Sequence, residues 1–333
     1  MKTLRPQPIR DAYFKPIEKD LVRIFRETLF DPLIAIVRDS TAQKIVLNAA
    51  PDPLEQALRT GRIQYDPEKG QFSGSFSAAT SRALRALGAT FDSRNGTYSL
   101  DPARVPANIR IIAQQSEAVA RSTHDSLLRA LDDAHERIEA AGTALAVGAD
   151  GMIDRVQADF ETIAKGITVT PELTDQGKKN MADDYNKNMA LSIKGWQEEQ
   201  IEKLRDQVEQ NAQAGYRFEG LIERIEHEYD VTKSKAAFLA RQETGLYVAK
   251  FRRETFSDMG VEGYVWQARG KGLTRPSHWA LNDRVFKYNT PPVVDPATQR
   301  HANPGEDFNC LCLDRPILGR ISPEMMGQVR RAA

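Results

Sequence analysis

Apolar residues in the middle of the chain recur at alternating steps of four and three. From Pro106 to about Ala146 the series Leu127, Leu131, Ala134, Ile138, Ala141 and Leu145 keeps that rhythm, which is a heptad seam on a long helix. So narrow a stripe needs a partner helix. The segment from about Thr174 to Ala212 supplies one, with Met181, Tyr185, Met189, Ile193 and Trp196 followed by Ile201, Leu204 and Val208. Two arrangements satisfy the pattern: an antiparallel hairpin inside one monomer, or an arm whose seam docks on another subunit. Gly142, Gly148, Gly151 and the stretch Ile167 to Pro171 provide the breaks between helices.

A third helical block starts near Tyr216 and runs, past Asp230 and Thr232 as caps, to about Met259. Ala236, Ala240, Tyr247 and Phe251 share a stripe that Leu239 and Leu246 widen, so this helix is expected to lie deep in a core. Gly260 ends it, Tyr264-Val265-Trp266 reads as a strand, and five prolines from Pro276 to Pro304 make the remainder compact and loop-rich, with two or three short strands. The first hundred residues predict short helices over Ile17–Phe30, Pro53–Thr60 and Ser77–Leu87, and a strand over Lys44–Leu47. They also predict a hairpin in which Asn95-Gly96 forms a type I′ turn between Thr90-Phe91 and Thr97-Tyr98. The fold class is mainly α, with long helical arms or a hairpin plus a small C-terminal α+β module. Its regions are 1–105, mixed, with short helices and a small hairpin; 106–215, the long helical hairpin or arm; and 216–333, the C-terminal domain.

Charge adds little pull toward polyanions. The chain has 46 Lys plus Arg against 46 Asp plus Glu among 333 residues, so global electrostatic capture of nucleic acid or an anionic membrane has no support. Apolar runs such as Leu33 to Val37 are far too short to cross a bilayer, and the N-terminus lacks an apolar signal core, so a soluble, non-exported protein with no membrane partner is expected. The two cysteines, Cys310 and Cys312, are one residue apart and would close only a small strained disulfide ring, which fits a reducing cytoplasm.

The C-terminal segment concentrates the chemistry: Arg275, His278, Trp279, Asp283, His301, Asp307, Asn309, Cys310 and Cys312. On a strand, residues two apart face one side, so Cys310 and Cys312 could converge on a zinc ion with His278 and His301 completing a tetrahedron; buried thiols packed as small hydrophobes are the alternative. No other cofactor is indicated. Gly270-Lys271-Gly272-Leu273-Thr274 lacks the spacing of a phosphate loop, and neither a nucleophile elbow nor a dinucleotide fingerprint occurs. Arg241 and Glu243 are charges embedded in an apolar helix, about 200° apart around its axis, so each needs its own partner; they are read as pins for neighbouring loops.

The order Ala240-Arg241-Gln242-Glu243-Thr244, Gly260, Tyr264-Val265-Trp266, Arg275-Pro276-Ser277-His278, then Pro304-Gly305-Glu306-Asp307-Phe308-Asn309-Cys310-Leu311-Cys312 resembles the phage Mu F-like family of minor head proteins, also called phage head morphogenesis proteins. The likeness spans about Tyr216 to Leu318. The family commonly shows Asn-Cys-Arg-Cys where this chain has Asn309-Cys310-Leu311-Cys312, which removes one positive charge. The resemblance implies a non-enzymatic structural protein of a tailed-phage or prophage head. It implies action during head assembly near the portal, major capsid or scaffolding protein, and a location in the virion and, during assembly, in the host cytoplasm. The competing readings are a metal-dependent enzyme in the C-terminal block using His278 and Glu243, and a module contacting DNA inside the head through Lys271, Arg275, Arg284 and Lys287.

Overall fold

The computed structural model describes residues 2–3, 7–45, 52–147, 150–164, 175–213 and 220–328. The chain opens with β1 (Lys2–Thr3), α1 (Asp11–Phe25), a π-helical turn at Arg26–Phe30, α2 (Asp31–Ile45) and α3 (Pro53–Arg59). Next come β2 (Ile63–Asp66), β3 (Gln71–Gly74), α4 (Ala78–Ala86), β4 (Thr90–Asp92) and β5 (Thr97–Ser99). Four more helices follow, three of them long: α5 (Ala107–Val147), the shorter α6 (Asp150–Ala164), α7 (Asp175–Gln213) and α8 (Leu221–Asp258). The C-terminal module holds β6 (Gly263–Gln267), α9 (Pro276–Trp279), β7 (Val285–Lys287), β8 (Val293–Asp295), β9 (Arg300–His301) and β10 (Leu313–Leu318). The protein is therefore mainly α with a small C-terminal α+β module.

These elements divide into two compact units, one made of residues 1–23, 139–194 and 233–333, the other of 24–138 and 195–232. Both are discontinuous in sequence, because α1, α5, α7 and α8 each contribute residues to both.

In the second unit, α3 starts where the Asp52 carboxylate accepts from the Leu54 N–H at 2.7 Å, and α4 where the Ser77 hydroxyl accepts from the Thr80 N–H at 3.1 Å. Both helices share a core with an antiparallel sheet in the order β2-β3-β5-β4. Tyr65 pairs with Phe72 across that sheet and Phe72 with Tyr98, and the core takes in Leu54, Leu58, Ile63, Leu84 and Ile109. The sequence reading found the β4–β5 hairpin and missed β2 and β3. It also mistook the turn. Asn95 does not adopt positive φ; Gly96 alone does, at 64°, in a longer loop whose Asp92 carboxylate accepts from the Arg94 N–H and from the Asn95 side chain. An Asx-type turn thus replaces the type I′ geometry.

The heptad seam is real, and the chain itself covers it. Leu127, Leu131, Ala134 and Ile138 are fully buried, as are Leu204 and Val208 on α7. Arg205 reaches Asp132 at 2.6 Å, and the Gln197 side chain donates to the His135 carbonyl at 3.3 Å, so numbers rise on α5 as they fall on α7 and the helices run antiparallel. Phe25 stacks on Trp196 with centroids 4.1 Å apart. Of the two arrangements, the antiparallel hairpin inside the monomer is the one present here, and these seam residues are not an exposed docking stripe. The Leu145 side chain and residue Thr174 lie outside the described residues.

Other departures have local causes. Helix α1 begins at Asp11, six residues before the expected start, and holds Pro16 inside it, where the ring leaves the Ala12 carbonyl without its i+4 donor. The helical path then continues through α2, where Leu33, Val37 and Ser40 are buried at helical spacing. Lys44 and Ile45 therefore end a helix instead of opening a strand, while Val46 and Leu47 lie outside the described residues. Gly142 and Gly151 sit inside helices; Gly148 and 167–171 are likewise outside. Helix α6, to which the sequence pattern assigns no element of its own, buries Met152, Ile153, Val156 and Phe160. Helix α8 runs through Asp230 and Thr232 without a break, and Tyr216 falls outside the described residues.

The first unit contains the antiparallel sheet β1-β10-β6-β7 and the separate pair β8-β9. One buried ion pair ties its last long helix to this sheet. Arg252 on α8 lies 2.8 Å from Asp314 on β10, with both side chains at most 3% exposed. Arg252 also donates to the Gln7 carbonyl at 2.6 Å, and the Tyr288 hydroxyl donates to Asp314 at 2.6 Å. Removing one partner leaves the other charge stranded, so Asp314→Ala should cost about 3–5 kcal/mol in denaturant unfolding. A loss under about 1 kcal/mol, the range of an exposed pair, would contradict this role.

Candidate functional site

Asp307 is the hub of the C-terminal module. Its carboxylate is fully buried, yet two guanidinium groups approach it: Arg275 at 3.0 Å from one oxygen, and Arg300 at the other. His278 Nε2 lies 2.9 Å from the oxygen that Arg275 contacts, and the Phe308 N–H donates to its companion at 2.7 Å. Arg275 is also the residue from which α9 starts, with Pro276 in its first turn, and a second guanidinium N–H donates to the Phe308 carbonyl. Arg275 thereby locks α9, which carries His278, against the loop that carries Asp307.

A carboxylate held by two arginines acts only as an acceptor, so His278 carries its proton on Nε2 and turns the Nδ1 lone pair the other way. That lone pair faces both thiols, with Cys310 Sγ at 3.4 Å and Cys312 Sγ at 3.8 Å. All three side chains are buried, and their donor atoms lie within 4.8 Å of one another. Trp266, fully buried on β6, sets its ring edge-on to the imidazole at 5.7 Å and limits its rotation.

Local backbone shape brings the thiols together. Cys310 and Cys312 precede β10, so their convergence comes from a loop and not from the strand alternation expected of Cys-x-Cys. Asn309 bends that loop with φ at 49°, a conformation Asn tolerates better than most residues, and its N–H donates to Gln242 on α8. The Gly305 N–H donates to Cys310 Sγ at 3.4 Å. Gly305 has φ at 87°, and a Cβ there would stand 2.9 Å from the Cβ of Ala249, so only glycine allows the approach. The Cys310 thiol is held below its ordinary value chiefly by hydrogen bonding with Cys312, against the opposing pull of burial. Cys312 is pushed up by the same sharing and by burial.

The remaining sequence candidates fall in different places. His301 is not part of the His-Cys-Cys group: it is exposed on β9, where pairing with Val293 fixes it, and its Nδ1–H donates to the Pro291 carbonyl at 2.7 Å. Gly260 follows α8 with φ at 73°. Tyr264 is fully buried beside Trp266, and burial raises its phenol well above the ordinary value. Arg241 is exposed, with its guanidinium 5.2 Å from the Phe14 ring. Glu243 is buried and takes a hydrogen bond from the Ser192 hydroxyl at 3.4 Å; no ion pair forms at it among the described residues. Neither residue reaches the His278 cluster through any of these contacts. Among the basic residues considered for DNA, Arg275 is committed to Asp307 and Lys287 lies 3.5 Å from Glu262, whereas Lys271 and Arg284 are exposed. Arg300 and the central role of Asp307 were not anticipated. The clue was the run Glu306-Asp307 beside two cysteines in a stretch too irregular for periodicity to interpret.

A mainly α protein whose C-terminal module packs a buried Asp-His-Cys-Cys cluster against one long helix is the class defined by fold and site. Residues 202–314 match the family described as Phage Mu protein F like protein, in agreement with the motif order. A protein of Haemophilus influenzae described only as uncharacterized is 29% identical over 126 residues, covering 38% of this chain and 27% of that protein. The chain thus spans well under half the length of that curated relative. No solved structure matches the chain.

Burial raises the Glu243 carboxyl above its ordinary value, the Ser192 hydroxyl opposing only in part. A raised acid is neutral in both states at low pH; as pH climbs past the ordinary carboxylate range the unfolded chain ionises first, and stability falls. Glu243→Gln should therefore match the parent near pH 4 and exceed it in Tm at pH 7. Equal Tm differences at both pH values would show that Glu243 is not penalised by its surroundings.

Proposed function

We propose that the protein is a non-enzymatic, low-copy structural component of a tailed-phage or prophage head, acting in head assembly beside the portal, major capsid or scaffolding protein. The match of residues 202–314 to the phage Mu F-like family carries this reading. It covers the motif series from Arg241 to Cys312, including every member of the Asp307 cluster.

The geometry supports a structural role over a catalytic one. His278 and Cys312 are each 2% exposed and Cys310 is 6% exposed, so a substrate has no direct approach to the most reactive side chains. The His278 Nε2–H is committed to Asp307, and the two arginines are spent on the same carboxylate. For DNA contact, Lys271 and Arg284 remain as exposed cations, too few for a phosphate-tracking surface. No helix among the described residues is long and apolar enough to cross a membrane. Location in the virion head, and in the host cytoplasm while heads are built, follows from this role.

Mass spectrometry of purified procapsids and mature particles from the producing phage should find the protein at low copy, and deleting its gene should lower the yield of filled heads. Cross-linking in procapsids should join it to portal, capsid or scaffold. Normal numbers of filled heads without the gene, together with absence of the protein from both particle types, would refute the proposal.

A further inference from the structure

Two buried thiols and one imidazole nitrogen aimed at the same point form a set of donors that ordinary core packing does not require. We propose that Cys310 Sγ, Cys312 Sγ and His278 Nδ1 bind one divalent cation of the zinc type. The distances fit. Zinc bound to sulfur at about 2.3 Å and to nitrogen at about 2.0–2.1 Å in a tetrahedron separates neighbouring S and N ligands by about 3.6 Å. The two S···N distances here are 3.4 and 3.8 Å, on either side of that value.

The surroundings fit as well. A ligating histidine characteristically donates its other ring N–H to a carboxylate, which fixes the tautomer and the ring plane. Asp307 holds that position against His278 Nε2 at 2.9 Å, and Arg275 and Arg300 keep Asp307 from moving toward the metal. The Gly305 N–H points at Cys310 Sγ at 3.4 Å, as a donor to thiolate sulfur should. Two thiolates balance a divalent charge, so the cation enters this buried site without a net charge. Binding displaces the remaining thiol protons to solvent while both sulfurs stay at the thiol oxidation level. Thiolate-imidazole donors select zinc or cobalt over magnesium or calcium, which prefer oxygen. Among the described residues no further His, Cys, Asp or Glu joins the group, so these three side chains are the protein ligands proposed. His301 lies outside it.

The test uses the full chain, purified under reducing conditions, stripped with chelator and titrated with cobalt(II). The expected result is saturation at one equivalent, with thiolate-to-cobalt charge-transfer absorption and the ligand-field bands of a tetrahedral site, displaced by zinc. His301→Ala should retain the full signal. Asp307→Asn, which keeps an acceptor but loses the charge, should bind cobalt about 10–100-fold more weakly, as loss of an outer partner to a ligating histidine does. Cys310→Ser with Cys312→Ser should abolish the charge-transfer band. Should that double variant fail to fold, the parent spectrum still decides. No charge-transfer band in the reduced parent, with both thiols open to a thiol reagent at the same rate with and without metal, would overturn the site. None of these readouts depends on phage heads, so the metal site and the head role stand or fall separately.

Discussion

Burying a lone carboxylate without compensation is among the most expensive things a fold can do, and the C-terminal module is organised around having done it at Asp307. The compensation comes from three different stretches: Arg275 and His278 at α9, Arg300 on β9, and the N–H of Phe308 next in sequence. Few regular elements exist there to hold these stretches by backbone ladders. The carboxylate therefore does what a sheet would do elsewhere, drawing loops to one point and setting their mutual geometry. Its orientation of the His278 ring follows directly, and with it the direction in which Nδ1 faces the two sulfurs.

Helix α8 is the second organising constraint in the same unit, and its polar residues repeat the logic of Asp307. Arg252 is as buried as any leucine around it, which is stable only because Asp314, the Gln7 carbonyl and, through Asp314, the Tyr288 hydroxyl surround it. One turn earlier, Ala249 leaves the space into which Gly305 fits, and two turns before that Gln242 accepts the Asn309 N–H. A single helical face thus touches the sheet, the glycine turn and the cysteine loop. Tyr247 of α8 meets Tyr185 of α7 edge-to-face, and burial pushes both phenols up, so the pair fills space rather than titrates.

Legibility in the sequence tracked how far apart the cooperating residues lie. The seam from Leu127 to Ile138 and the boundaries of α5 and α7 were readable because their determinants repeat every three or four residues, within the reach of a periodicity argument. The hairpin at Asn95-Gly96 was readable as a hairpin, but its turn type depended on the Asp92 side chain, which competes locally for the Arg94 N–H. Helix α6 is hidden from a periodicity argument because Gly142, Gly148 and Gly151 look like breakers, whereas burial of Val156 and Phe160 outweighs the modest cost of glycine within a helix. In the candidate site, the pairing of the two cysteines with His278 was visible as chemistry, and the exclusion of His301 was not. That exclusion is set by the two-residue strand β9, an element too short to leave a pattern.

The covered seam changes where recognition has to be sought. A heptad stripe is adhesive only while it is bare, and here the antiparallel run of α5 and α7 consumes it, leaving mostly charged and amide residues on the outer faces. Large apolar side chains remain outside elsewhere: in the C-terminal module Leu273 is 71% exposed and Phe308 59% exposed, with Phe308 tilted against Phe238 of α8 at 5.3 Å. Phe308 does not stand out by flexibility, since its N–H is bound by Asp307 and its carbonyl by Arg275. The interactions that neutralise the buried carboxylate therefore also hold the backbone of the most exposed aromatic residue of the module. Within this module, the order of the cluster and the presentation of its surface are parts of one structure.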